Sequence, residues 1–253
     1  HVDVTKQNLQ VVQQSDVVLW PENSLDIDPK LDSRAHELLT EVDALVNPPI
    51  LLGAVLSPTV STRSNTTLEV DGGVQEIYTK QRRVPFGEFL PMRDFVSSIS
   101  DRAALLPYDF VAGKHPGLWK RDSFTLTLGI CFEVADSVIP HQNIAQSDLI
   151  VIQTNNATYQ FSQQSEQQLL YAKLRSIESQ RPLVSISTSG ISAVIDDGVL
   201  VDTLDKGDVG VLTFQVNDKR GITIASRIAP FAGWIVFFLW VLGLVYVTRR
   251  LQR

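Results

Sequence analysis

The chain has 253 residues, of which 44% are hydrophobic, and its 28 acidic and 22 basic side chains give a formal net charge of −6. This negative balance argues against a nucleic-acid partner, because phosphate backbones select proteins with a net positive face. Cys131 is the only cysteine, which excludes an intrachain disulfide and a cysteine-rich metal site. A chain of this length can bury about 70–75% of its extended surface, so one ample core is feasible.

Short apolar runs recur along the chain and predict strands. These runs lie at 17–20, 50–56, 66–70, 74–79, 124–130, 148–154, 183–188, 191–195, 199–203 and 209–216. Because no linker-like tract or repeat interrupts them, we predict one soluble domain over residues 1–227.

Helical patterns fill residues 30–46 and 162–180. Ser162 is the expected cap of the second helix, with Glu166 in its first turns. The sequences at 71–73 and 196–198, Asp-Gly-Gly and Asp-Asp-Gly, are hairpin signals between strand-like residues. Strands that alternate with helices in part, and pair by hairpins elsewhere, indicate the α/β class with a mixed sheet layered against helices.

Residues 86–112 interrupt this pattern as a long apolar connection between Pro85 and Gly113. Ordinary connections run about 4–6 residues, so such a segment is either functional or folded over the core. We favour a mobile, membrane-facing lid over plain packing. The apolar side chains of the segment include Phe86, Phe89, Leu90, Met92, Phe95, Ile99, Leu105 and Leu106.

The C-terminal part predicts a transmembrane helix over residues 228–248. Positions 228–247 carry no charge, and 20 residues make about 30 Å of helix, the thickness of a hydrocarbon core. A buried core helix of this length normally keeps a polar stripe, which this segment lacks. Trp234 and Tyr246 lie toward opposite ends of the segment, as interfacial anchors do.

Charge on either side of this segment predicts its orientation. Arg249, Arg250 and Arg253 follow it, in the tail 249–253, whereas Arg227 alone precedes it. By the positive-inside rule the C-terminus is cytoplasmic, and residues 1–226 lie outside the cytoplasmic membrane.

Three polar residues stand directly after predicted strands. Glu22 closes Trp20-Pro21-Glu22, Lys80 follows the strand at 74–79, and Cys131 follows the strand at 124–130. Side chains at the carboxyl ends of sheet strands converge in one crevice. A thiol with a carboxylate and an ammonium beside it forms a nucleophile, a base and a charge stabiliser. The alternatives are a buried inert thiol, a surface carboxylate and a solvated lysine.

The order of several motifs resembles the nitrilase, or carbon–nitrogen hydrolase, superfamily, and more closely its apolipoprotein N-acyltransferase branch. The resemblance covers most of residues 15–215. Its motifs are Trp20-Pro-Glu22, Lys80-x7-Glu88 within Val-Pro-Phe-Gly-Glu, Gly129-Ile-Cys-Phe-Glu133, Thr154-Asn-Asn156, Arg175-x2-Glu178-x2-Arg181-Pro182 and Ser189-Gly-Ile-Ser-Ala-Val-Ile-Asp196.

This resemblance implies an α-β-β-α sandwich with mixed sheets, followed by one C-terminal transmembrane helix. It also implies roles: Cys131 as nucleophile, Glu22 as general base, and Lys80 as the group that holds the thiolate and the oxyanion. Among supporting carboxylates, Glu88 is expected to orient Lys80 or share base duty, and Glu133 to shape the pocket. Phe132 stands where the family often has tyrosine, so an aromatic wall remains without its hydroxyl.

Two further motifs keep their alternatives. Asn155 and Asn156 either line the cleft or form a turn, whereas Arg175, Glu178 and Arg181 are expected to form a structural network at a helix end. None of the four histidines lies in a partnered motif. A Cys-His protease site and a metal site therefore lack support, and we expect no cofactor.

The activity implied by the resemblance is transfer of an acyl chain from a phospholipid, through a cysteine thioester, to the α-amine of a diacylglyceryl-cysteine on a lipoprotein. We expect a membrane-bound monomer. The family carries a bundle of membrane helices and a first strand ahead of its catalytic domain, so the chain resembles a fragment. Alternatives are a membrane-tethered amidase that uses water, and a non-catalytic relic that binds lipoproteins.

Overall fold

The computed structural model describes residues 1–99, 106–159, 162–216 and 221–251. Its helices are α1 (Val2–Gln7), α2 (Leu9–Val12), α3 (Ser33–Leu45), α4 (Arg93–Ile99), α5 (Gln164–Ser179), α6 (Ile224–Ile228) and α7 (Ala232–Leu251). Its strands are β1 (Val18–Leu19), β2 (Ile50–Thr59), β3 (Thr62–Val70), β4 (Val74–Thr79), β5 (Asp109–Phe110), β6 (Gly117–Lys120), β7 (Thr125–Ile130), β8 (Leu149–Thr154), β9 (Leu183–Ser187), β10 (Ser192–Asp196) and β11 (Val199–Leu204).

The strands form two mixed sheets. The first has the order β1-β2-β3-β4, with β5 beside β3, and the second has the order β11-β10-β9-β8-β7-β6. In the second sheet β7, β8 and β9 are parallel to one another, while the flanking pairs are antiparallel. The ends of β7, β8 and β9 therefore open onto the same edge.

Alternating burial along the strands stacks these sheets between helices. In β2, Ile50 and Leu52 pack in a cluster that includes Leu39 and Val42 of α3, whereas Leu51 packs in a second cluster with residues of β7 and β8. This second cluster fills the space between the sheets. The strand β2 therefore contributes to two apolar layers.

The outer face of the second sheet is covered by α5. Ile150 and Ile152 of β8 pack there with Ala172 of α5, while Leu149 and Val151 face the first sheet. The layer order is therefore helix, sheet, sheet, helix. The predicted α-β-β-α sandwich with mixed sheets is confirmed.

Most predicted strands are present within about two residues of their expected ends, and one is wrong. Residues 209–216 form no strand, although Val209, Val211 and Val216 suit one. Strand propensity depends on packing against cross-strand neighbours, and residues 209–216 pair with none of the described strands. The short strands β5 and β6 were missed because two to four residues carry little periodic signal.

The hairpin predictions are correct, and the cap prediction needs a correction. Asp197 and Gly198 both adopt positive φ, at 51° and 77°, as a two-residue turn of this twist requires. The residue that caps α5 is Gln163, whose side chain makes no capping bond. Ser162 lies one position earlier, and its Oγ accepts a hydrogen bond from the Gln164 backbone N–H at 3.2 Å.

The segment 86–112 is partly folded and partly exposed. It contains α4 and β5, and Leu90 is buried. Phe86, Met92, Phe95 and Ile99 are 58–74% exposed. Leu105 lies outside the described residues, and the lid remains a prediction.

One helical run of the described residues is long and apolar enough to cross a membrane. It extends over Ile224–Arg250, 27 residues that contain an 18-residue window with a mean hydropathy of 2.3, and none of that window is buried in the protein. It comprises α6, a single 3-10 turn at Ala229–Phe231 that contains Pro230, and α7. Arg253 lies outside the described residues, and the boundaries at 227 and 248 remain predictions.

The apolar helix is joined to the sandwich through a buried junction. Thr223 caps α6 by accepting a hydrogen bond from the Ser226 backbone N–H, and its hydroxyl donates to the carbonyl of Glu178 in α5. Ser226 also pairs with Nδ1 of buried His141 at 3.1 Å, and Nε2 of this histidine faces Glu178. The polar groups of the junction thereby satisfy one another.

We predict that Gly53→Ala destabilises the protein by about 1–3 kcal/mol. A Cβ at Gly53 would lie 2.6 Å from the Cα of Glu22 and 2.7 Å from the carbonyl oxygen of Pro21. Thermal unfolding in detergent measures the change. Gly221→Ala is the matched control, because nothing lies within 4 Å of its added methyl group. Equal melting temperatures for the two variants would contradict the close crossing of β2 by residues 21 and 22.

Candidate active site

Glu22 lies in the loop that follows β1 and is buried. It is 5% exposed, and the Thr188 hydroxyl donates a hydrogen bond to its backbone carbonyl at 2.7 Å. The loop is positioned by Gln153 of β8, whose amide donates to the carbonyl of Trp20 at 2.7 Å. A polar contact between the two sheets therefore fixes the backbone just before Glu22.

Lys80 lies between two carboxylates. It follows β4, is 1% exposed, and its Nζ lies 2.6 Å from Oε1 of Glu88 and 3.8 Å from Oε1 of Glu22. Glu88 is itself fixed, because its Oε2 accepts a hydrogen bond from the Val84 backbone N–H at 2.8 Å. The expected contact between Glu88 and Lys80 is therefore present.

Cys131 stands at a sharp change of backbone direction. The strand β7 ends at Ile130, a 3-10 turn covers Cys131–Ala135, and Cys131 has a φ of 53°. Left-handed backbone is rare for a residue with a Cβ, and such strain clusters at functional sites. The backbone N–H of Asn155, just after β8, lowers the pKa of both the Cys131 thiol and the Glu22 carboxyl, so it lies near both groups. Glu22, Lys80 and Cys131 thus meet at one edge of the sandwich.

Glu133 braces the turns on which Lys80 and Cys131 stand. Its Oε1 accepts hydrogen bonds from the backbone N–H groups of Gln81 and Arg82, at 2.7 and 2.9 Å. Its Oε2 accepts from the Ile130 backbone N–H and the Tyr78 hydroxyl, each at 2.8 Å. The carboxylate is buried and joins the end of β4 to the end of β7. The sequence resemblance predicted that Glu133 shapes the pocket, and the structure adds this link between the two sheets.

The chain has relatives among known proteins. No protein-family model matches the sequence. The chain is 33% identical over 222 residues to "Apolipoprotein N-acyltransferase" of Mycolicibacterium smegmatis, covering 84% of this chain and 37% of the relative. It is 27% identical over 248 residues to the protein of the same name from Pseudomonas paraeruginosa, covering 95% of this chain and 48% of the relative. Relatives named apolipoprotein N-acyltransferase therefore match most of this chain.

The fold is shared with a solved amidase. A cysteine-to-alanine mutant of the Nesterenkonia AN1 amidase from the nitrilase superfamily superposes with a TM-score of 0.59, at 15% identity, over 81% of this chain and 78% of the amidase chain. Another form of that amidase shows covalent addition of the acetamide moiety of fluoroacetamide at its active-site cysteine. The chain spans about 37–48% of the length of the two curated family members compared above.

Burial and charge set the protonation states of the side chains in the candidate site. Burial raises the pKa of the Cys131 thiol to about 12; the negative charges of Glu22 and Glu88 raise it as well, and the positive charge of Lys80 opposes them. Burial also raises the pKa of Glu22, against the opposing effects of Lys80 and Asn65. The thiol is consequently neutral at pH 7, so a nucleophilic sulfur requires a base at the moment of attack.

Lys80 stays protonated in spite of its burial. Burial alone would lower its pKa, but the negative charges of Glu22 and Glu88, and of the Cys131 sulfur where it is ionised, outweigh this effect and raise the pKa above the ordinary lysine value. The positive charge of Lys80 therefore acts on the Cys131 sulfur. A charge in this position is suited to stabilise an oxyanion that forms next to the sulfur.

The remaining predicted residues fall into two groups. Phe132 is 49% exposed beside Cys131, and Asn155 both faces the site and forms a turn through its Oδ1, which accepts from the Ala157 N–H. Asn156 is buried and pairs with Gln168 and Ser187, so it supports the cleft from behind.

Arg175, Glu178 and Arg181 form the expected structural network. Arg175 pairs with Glu178 and donates to the carbonyl of Val134 at 3.0 Å, whereas Arg181 donates to the carbonyl of Ser147 at 2.7 Å. Among the described residues, no group of three or more His, Cys, Asp or Glu side chains has the arrangement of a metal site.

Sequence reasoning missed Asn65 and Tyr78. Asn65 donates from Nδ2 to Oε1 of Glu22 at 2.5 Å, and Tyr78 donates to Glu133. Both residues lie inside strands rather than after them. The available signal was the polar run Ser64-Asn65-Thr66-Thr67 in a strand that is buried in the sandwich.

We predict that Glu133→Gln lowers the free energy of unfolding by at least about 2 kcal/mol, because an amide NH2 would face N–H donors that need an acceptor. Tyr78→Phe removes only one of the four hydrogen bonds and should cost about 1 kcal/mol. Chemical denaturation in detergent, followed by tryptophan fluorescence, measures both changes. Similar small losses for the two variants would argue against the brace.

Proposed function

We propose that the protein is an N-acyltransferase that moves a fatty acyl chain from a phospholipid to the α-amine of a diacylglyceryl-cysteine on a lipoprotein. The convergence of Glu22, Lys80 and Cys131 at one sheet edge carries the proposal, because the three remote residues meet only in the folded chain. The name shared by the relatives supports lipoprotein N-acylation in general. The donor and the steps below are our own inference.

In the first step the Cys131 sulfur attacks the ester carbonyl of the phospholipid while Glu22 takes the thiol proton. Lys80 stabilises the oxyanion that forms as the C=O bond opens. When the C–O bond breaks, the proton passes from Glu22 to the departing alkoxide. A lysophospholipid leaves, and the acyl chain remains on the enzyme as a thioester.

In the second step the α-amine of the acceptor attacks the thioester carbonyl. Glu22 takes a proton from the amine, the C–S bond breaks, and the sulfur recovers a proton from Glu22. An amide is formed and the thiol is restored. Glu88 serves by fixing Lys80, Glu133 by bracing the two turns, and Phe132 as an aromatic wall without the hydroxyl of a tyrosine.

The exposed apolar surfaces support substrates that reside in a bilayer. The helix over Ile224–Arg250 has no protein covering it, and the side chains of Phe86, Met92, Phe95 and Ile99 project from the segment after Lys80. We propose that residues 1–227 form the catalytic domain on the outer face of the cytoplasmic membrane. The span 228–248 then leads to the cytoplasmic tail 249–253, in a protein that acts as a monomer.

Intact-protein mass spectrometry tests the covalent step. After incubation of the full protein with phospholipid vesicles, we expect an acyl adduct that is removed by hydroxylamine, as a thioester is. Cys131→Ala should carry no adduct. Lys120→Met, on an exposed position of β6, serves as the matched control and should be acylated normally. An adduct that persists in Cys131→Ala would refute the assignment.

The product separates the transferase from a hydrolase, which the amidase fold favours as the second candidate. With a diacylglyceryl peptide present, chromatography should detect the N-acylated peptide. Free fatty acid alone would indicate that water is the second nucleophile. Absence of any adduct or product would favour a non-catalytic binding protein.

We predict that the first step loses rate on the acid side at a pH above the ordinary glutamate range. Glu22 must be ionised to take the thiol proton, and its pKa is raised by burial, so the rate rises as pH increases through this raised value. Lys80 keeps its proton beyond the ordinary lysine range, so no loss is expected near pH 9. Quenched single-turnover acylation, measured over pH without acceptor, gives the profile. An acid limb at the position of a solvent-exposed carboxylate would contradict the role of Glu22.

A further inference from the structure

Asn65 is a buried amide that contacts the carboxylate of Glu22 directly. It lies on β3 and is 4% exposed. Its Nδ2 donates to Oε1 of Glu22 at 2.5 Å, whereas Nζ of Lys80 lies 3.8 Å from the same oxygen. The shorter bond of Lys80, at 2.6 Å, goes to Glu88. Of Asn65 and Lys80, only Asn65 is therefore within hydrogen-bond distance of the Glu22 carboxylate.

The same residue is also tied to the lysine through its backbone. The Lys80 backbone N–H donates to the carbonyl of Asn65 at 2.9 Å. Asn65 therefore holds Glu22 by its side chain and the end of β4 by its main chain. Movement of β3 at this residue would separate the carboxylate from the lysine.

The amide is not fully satisfied. Its Oδ1 is buried and has no hydrogen-bond partner. A buried carbonyl without a partner destabilises a fold, and an apolar side chain of similar size at that place avoids the loss. Stability alone does not account for an asparagine here. The hydrogen bond from its Nδ2 to Glu22 is the contact that an apolar side chain would not provide.

We propose, on the basis of the function given above, that Asn65 is a positioning residue that holds Oε1 of Glu22 and leaves Oε2 to exchange the proton with the thiol and the amine. A donor on one oxygen also favours the ionised carboxylate. Asn65 and Lys80 then divide the work: Lys80 serves the oxyanion, and Asn65 serves the base.

The test is the pH profile of the single-turnover acylation in Asn65→Leu, which removes the donor and keeps the volume. We expect the acid limb to move to higher pH by about one to two units, because the carboxylate loses a charge-assisted hydrogen bond. Below the limb the rate should fall at least tenfold, and above it much of the rate should return. Thermal stability should be unchanged or higher.

Thr66→Val is the matched control. Thr66 is the next residue of β3, is buried, and its hydroxyl contacts Ser64 and Thr79 rather than Glu22. It should lose stability without moving the acid limb. If Asn65→Leu does not fold, Asn65→Asp keeps the shape, removes the donor and adds a charge, so its limb should move further in the same direction.

The outcomes separate this inference from the proposed function. A wild-type protein without any acyl adduct would contradict the function itself. A normal wild-type adduct together with an unmoved limb in Asn65→Leu, or in Asn65→Asp, would overturn the inference alone. A limb that moves equally in Thr66→Val would mean that β3 acts only through general packing.

Discussion

The Glu133 carboxylate is the contact on which the geometry of the site depends. Removing a charge from water is costly, and it is tolerated only where hydrogen bonds replace the lost solvent. Here four donors surround the two oxygens, and they come from the ends of two strands in different sheets. The residues that follow those strands are Lys80 and Cys131. One buried carboxyl group therefore links the turn that carries Lys80 to the turn that carries Cys131.

A second constraint is the balance of charge around Lys80. Two carboxylates and one lysine share a buried space, and the sulfur makes a further acidic group. Lys80 remains protonated, whereas burial raises the pKa of both the Cys131 thiol and the Glu22 carboxyl, so both groups lose their protons less readily than in water. The Cys131 thiol is therefore neutral at rest, and a neutral thiol reacts slowly with oxidants and alkylating agents. In the proposed mechanism its proton leaves only when the sulfur attacks a substrate carbonyl.

The pattern of the sequence predicted a mixed α/β fold and the proximity of three polar residues, whereas the α-β-β-α sandwich was named by the family resemblance. Alternating apolar runs reveal strands, and a polar residue directly after such a run lies where strand ends converge. Glu22, Lys80 and Cys131 all carry this local signal. Asn65 and Tyr78 do not, because each lies within a strand, and its neighbour across the site depends on how two sheets stack.

The same limit explains the other differences. Residues 209–216 have the composition of a strand, but pairing requires a partner that composition does not reveal. His141 and Ser226 lie 85 positions apart, and no sequence pattern in either segment predicts that they are in contact. Glu133 carries a motif signal, yet its four hydrogen bonds come from residues 3 to 55 positions away. Long-range polar contacts are therefore the part that sequence patterns leave open.

The junction at the start of the apolar helix has a mechanical consequence. Thr223 and Ser226 attach α6 to the last turn of α5, Arg175 of α5 holds the carbonyl of Val134, and Val134 belongs to the turn that begins at Cys131. Polar contacts thus connect the start of the apolar helix to the turn that begins at Cys131. If this helix spans a bilayer, a change of bilayer thickness that tilts it would act on the same contacts.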